Sequence, residues 1–187
     1  MNIKNVFSLI FLITSILTVH CQNKELDERN GFKVIKLGSH IDRFEGIKEI
    51  QSGDPNTIVG FWNTSDPDLG YLFDEKIDIF ELGFDRTSKK LKSLKIVIYI
   101  KEPYYNPIVF EKFIKIYENI ISVLGKPLGS MKDVRGFYWE GEKVAMALFT
   151  KAEELKLNDD GEVIGLSAIY LSFVSINSII NEAEKGF

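Results

Sequence analysis

The chain has 187 residues, 45% of them hydrophobic and 27% charged, with 23 Lys and Arg against 27 Asp and Glu for a net charge of −4. Its 14 glycines and 5 prolines are too few for a collagen-like or low-complexity chain, and its 14 Phe, 7 Tyr and 2 Trp suffice for a substantial core. The basic residues form no concentrated stripe, so no nucleic-acid partner is expected. The densest basic run, Lys89-Lys90-Leu91-Lys92, reads as a solvated strand edge.

A single lysine, Lys4, precedes an uncharged apolar run of 14 residues from Val6 to Val19. That is shorter than the roughly 20 residues a spanning helix needs, and it fits the apolar region of a secretory signal. Cys21, the sole cysteine of the chain, follows the run directly. In this arrangement Leu17-Thr18-Val19-His20-Cys21 resembles the lipobox of bacterial lipoprotein signal peptides, with His20 where that family favours Gly, Ala or Ser. The resemblance covers residues 1 to about 24. It implies removal of residues 1–20, diacylglyceryl and N-acyl modification of Cys21, and a membrane anchor. The absence of Asp at position 22 implies the outer membrane by the family's sorting rule and leaves the membrane face open.

Residues 21–31 are polar apart from the cysteine and Leu26, and read as a flexible tether before a single domain over 32–187. Without another cysteine that domain has no disulfide to draw on. Lys33–Leu37 reads as a short strand. Ser39 reads as the cap of a helix over 40–50, whose apolar Ile41, Phe44, Ile47 and Ile50 recur every three residues. Thr57–Trp62 reads as a strand between two loops.

Ile77–Phe84 and Leu91–Ile100 then form an antiparallel hairpin; in the second run Leu94, Ile96, Ile98 and Ile100 share a face. The clearest helix follows, with Asn106 as N-cap, Pro107 at the first helical position and Gly125 with Pro127 as a stop. Arg135–Glu140 and Lys143–Thr150 make a second hairpin. Asn158-Asp159-Asp160-Gly161 signals a turn, Val163–Phe173 a last strand, and Ser175–Glu184 a terminal helix.

The pattern predicts an α+β fold, with helices packed on a mostly antiparallel sheet and a C-terminal helix. Gly60-Phe61-Trp62 and Gly136-Phe137-Tyr138-Trp139 open both strand sets, which two tandem helix-plus-three-strand units or chance likeness explains equally well.

Chemistry is sparse. Cleavage would leave His40 as the one histidine, too few for a zinc site or a Ser-His-acid triad, and no phosphate-cradling glycine loop follows a strand. No catalytic residue, metal site or cofactor is therefore assigned. Asp66, Asp68, Asp74 and Glu75 form one acidic group and residues 158–162 a second, both without calcium-loop spacing. Partner-binding candidates are Tyr104 and Tyr105, between Pro103 and Pro107, with Trp62 and Trp139. The expectation is a lipid-anchored envelope protein that binds an envelope protein partner without catalysis. The alternatives are a carboxylate-dependent envelope hydrolase and an inhibitor or immunity-type protein.

Overall fold

The computed structural model describes residues 24–50, 52–153, 156–157 and 163–177. A short helix α1 spans 24–29. It is followed by the ribbon β1 (Gly31–Phe32) and β2 (Ile35–Lys36), then β3 (Lys48–Ile50) and β4 (Thr57–Trp62). A small ribbon of β5 (Tyr71–Leu72) and β6 (Glu75–Lys76) precedes the long hairpin β7 (Ile79–Asp85) and β8 (Leu91–Ile100). Helix α2 (Pro107–Leu124) leads to β9 (Gly129–Ser130), β10 (Arg135–Glu140) and β11 (Val144–Ala152). A ribbon of β12 (Lys156–Leu157) and β13 (Val163–Ile164) precedes the last strand, β14 (Ser167–Ser175).

Eight of these strands form one antiparallel sheet in the order β3-β4-β7-β8-β14-β11-β10-β9. Two four-strand meanders meet where β8 pairs with β14, Ile96 opposite Leu171. The protein is thus mostly β, and the expected α+β architecture of helices on a sheet is overturned: α2 is the single long helix among the described residues. Nor are the units helix-plus-three-strand, since each half of the sheet contributes four strands.

The missing helix is that over 40–50, where Ile41–Arg43 makes only a 3-10 turn capped by His40 rather than Ser39. Gly46 at φ +74° ends any helical path, and Lys48–Ile50 is extended as the edge strand β3. The apolar spacing of three that suggested a helix instead drops Phe44 into the core beside Trp62 and Phe84. Most of the expected terminal helix, and the turn at 158–161, lie outside the described residues.

Within the stretch read as a flexible tether, α1 is docked. Leu26 is 2% exposed, and the Asp27 carboxylate accepts from the backbone N–H groups of Glu142, Lys143 and Val144 at 2.8, 2.9 and 3.1 Å. A carboxylate can take several such bonds at once, and here it clips the N-terminal segment to the β10–β11 turn. Gly31, at φ +134°, closes the link: a Cβ there would lie 2.2 Å from the Ile35 carbonyl oxygen.

Helix α2, strand β1 and the segment around Phe44 pack on one face of the sheet. Its rows read Ile58, Phe84 and Leu91; Gly60, Leu82, Leu94, Phe173, Met146 and Trp139; and Trp62, Phe80, Ile96, Leu171, Leu148 and Phe137. Phe113 and Tyr117 of α2 stack on Phe137, and Phe32 meets Phe80. Alternate strand residues point to opposite faces, so the residues between these make a second surface.

Candidate interaction surface

Register defines that second surface strand by strand. One row crosses all eight strands as Lys48, Phe61, Glu81, Lys95, Ser172, Ala147, Tyr138 and Gly129. Beside it run Val59, Gly83, Ser93, Val174, Ala145 and Glu140 on one flank, and Ile79, Val97, Tyr170, Phe149 and Gly136 on the other. Tyr99, Ala168 and Lys151 continue past these. No described helix covers this face. An uncovered face of an antiparallel sheet is ordinarily polar. This one is not.

Its centre, on β14 and β11 with Ser93 of β8, holds small side chains: Ala145, Ala147, Ser172 and Val174. Aromatic rings stand around it. Phe61 and Tyr138 flank it at five strand spacings, roughly 24 Å along the sheet. They are 36% and 37% exposed, and Tyr99 is 39% exposed. Phe149 and Tyr170, directly opposed on neighbouring strands, stack at 4.9 Å with planes 16° apart. The small residues thus lie low between taller rings, a trough by side-chain size, with the Glu81–Lys95 pair between them and Phe61.

Fixed charges set its polarity. Lys95 and Glu81, cross-strand neighbours, pair at 2.6 Å. The Tyr170 hydroxyl donates to the Glu153 carboxylate. Burial, then the Glu153 hydrogen bond and charge, push that hydroxyl far above the usual phenol range. Burial, then Glu153, also raise Tyr99. Both phenols therefore stay neutral donors at any physiological pH. Aromatics presenting one polar atom on a rigid scaffold provide contact area at small entropic cost.

None of the four residues expected to contact a partner lies in this trough. Trp139 is 4% exposed, packs beside Tyr117, and donates its indole N–H to the Gly125 carbonyl at the end of α2. Trp62 sits between Phe44 and Phe80 and donates to the Glu45 carbonyl. Each tryptophan thus fastens a preceding segment to its half of the sheet. Tyr104 lies on the helix side, where Arg135 stands 5.4 Å from its ring and 5.1 Å from that of Phe110. Tyr105 is 86% exposed, just before the N-cap of α2. Cys21 lies outside the described residues.

The first acidic group does not converge. Asp66 caps the 3-10 turn at Pro67–Leu69, while Glu75 and Asp74 pair with lysines of α2. The second group lies outside the described residues. Among the described residues no cluster of three or more His, Cys, Asp or Glu could hold a metal ion. None of the described helices is long and apolar enough to cross a membrane.

The trough residues carry a signal the sequence reading passed over. Val144, Met146 and Leu148 complete the core-facing phase of β11, so Phe149 is an aromatic at the wrong phase. Tyr170 breaks the phase of β14 in the same way. No protein-family model matches the chain, and neither does any curated protein or solved structure.

Proposed function

We propose that this is an exported, lipid-anchored protein of the cell envelope that binds a protein partner through the trough on the uncovered sheet face, without catalysis. The observation carrying the binding role is that trough itself: small residues at the centre, aromatic walls, and no described element over it. Phe61 and Tyr138 stand farther apart than the roughly 10–12 Å of a helix with its side chains, so a helix or a rounded loop of a partner would lie over the small residues, beside the Glu81–Lys95 pair. The anchor rests on the signal-like residues 1–21 and the position of Cys21. With residue 24 already in the docked helix α1, an acylated Cys21 would hold the domain close to the bilayer. Confinement of this kind raises the effective concentration of the domain toward membrane partners.

Two experiments test the two parts. Intact mass and membrane fractionation of the protein from a bacterial host, beside Cys21→Ala, should show loss of residues 1–20 with added acyl chains, abolished by the substitution. An unmodified product in both contradicts the anchor. A photo-crosslinking residue at Tyr138 or Tyr99 should give one adduct of common size in living cells, and the same residue at Val34, 71% exposed and away from the trough, should not. Equal labelling at all three contradicts the interface.

A further inference from the structure

The covered face of the sheet contains a cavity of about 480 Å³, bounded by α1, the first two ribbons, the end of α2 and strands β11 and β14. That volume is within the roughly 300–1,000 Å³ of small-molecule sites. Leu26, Phe32, Leu72, Leu124, Met146 and Phe173, all buried, form its walls. Among the described residues no buried side-chain polar atom lacks a hydrogen-bond partner, so no unpaired side-chain group marks a polar ligand's place in the interior. A molecule that fills it gains by covering apolar surface along its whole length.

The mouth differs. Arg29, Lys33, Lys36 and Asp74 supply its charged lining, three cations to one carboxylate. Asp74 lies 3.7 Å from Lys115, and Arg29 pairs with Glu25 at 2.8 Å. Lys33 and Lys36 instead donate to backbone carbonyls, those of Asp68 and Tyr71 and that of Arg29. No ion pair with a described carboxylate neutralises either lysine. An apolar interior below a cationic lip selects a ligand that is apolar except for one anionic end.

We propose that this cavity binds a single acyl chain ending in an anion, its tail between α2 and the sheet and its charged end at Lys33 and Lys36. The site does not depend on the trough or on the modification of Cys21. Palmitate and lysophosphatidylglycerol present this chemistry from two sources, a free fatty acid and a lipid headgroup, and hexadecanol is the uncharged control.

The test uses the full chain as a bacterial host makes it, stripped of bound lipid on a hydrophobic resin and titrated calorimetrically. At least one anionic probe should bind at one site with a Kd below about 100 µM, and the tighter of the two names the source. Lys33→Glu with Lys36→Glu should weaken the anionic probe about tenfold or more and leave hexadecanol within about twofold. Val123→Trp, at a half-exposed position on the cavity wall, should weaken all probes with an unchanged unfolding midpoint. Absence of saturable binding by either anionic probe overturns the proposal. So does binding that neither set of substitutions alters in the folded protein.

Discussion

The two faces of the sheet are made by the same strands and read by the same alternation, yet they solve different problems. On the covered face Leu82, Leu94, Ile96 and Leu148 are fully buried beneath α2 and the N-terminal segment. On the face that no described helix covers, the corresponding centre holds Ala145, Ala147 and Ser172, with rings displaced to its borders. Burying large side chains supplies stability; leaving rigid aromatics half-exposed around small residues supplies a surface that can gain by being covered. Under the proposed binding role, the contrast assigns stability to one strand phase and recognition to the other.

The largest effect should come from the covered face. Leu148→Ala removes a side chain that is 0% exposed at the middle of β11, and should cost about 3 kcal/mol in urea unfolding. Its neighbour on the other phase, Ala147→Ser, should stay within about 0.5 kcal/mol. Equal costs would break the distinction between the faces. Next comes the clip that brings α1 onto the covered side: Asp27→Ala leaves three backbone donors without their carboxylate and should cost about 1–3 kcal/mol. Hydrogen exchange should then rise in residues 24–31 and at the β10–β11 turn together.

Smaller still, Trp139→Phe deletes the indole donor to Gly125 and should lower stability by about 1 kcal/mol. Trp62→Phe, whose bond to Glu45 is solvent-exposed, should lose less. The smallest effect is electrostatic. The Thr57 hydroxyl, the Asn56 N–H and Lys92 hold the Asp54 carboxyl down at about 2, below its ordinary 3.8. A depressed carboxyl stabilises above the unfolded-state pKa and loses that contribution as pH falls toward its folded value. Asp54→Asn should therefore show a shallower stability decline than wild type between about pH 4 and pH 2.

Local patterns revealed part of this architecture. The hairpin over β7 and β8 is legible because Leu94, Ile96, Ile98 and Ile100 alternate with Lys95 and Tyr99. Helix α2 is legible because Asn106 caps the N–H of Ile108 at 2.9 Å and Gly125 adopts φ +76°. The segment over 40–50 misleads, since a spacing of three is shared by a helix stripe and by a loop that turns Ile41, Phe44 and Ile47 to the core, and only Gly46 distinguishes them. The junction of β8 with β14 leaves no local trace, because pairing across 67 or more positions depends on the whole sheet. The trough was half-legible: Phe149 and Tyr170 stand out of phase, but their stacking requires knowing that β11 and β14 are neighbours. The cavity was hidden for the same reason, its walls coming from segments as distant as Leu26 and Phe173.

The most direct test of the trough as the binding surface combines one substitution with one label. Ala147→Glu places a charge at the centre of the uncovered face, in a protein carrying a photo-crosslinker at Tyr138. An unchanged thermal midpoint together with loss of the adduct formed in the Ala147 protein is the result expected of a binding trough. Persistence of that adduct at full yield in the folded variant would contradict it.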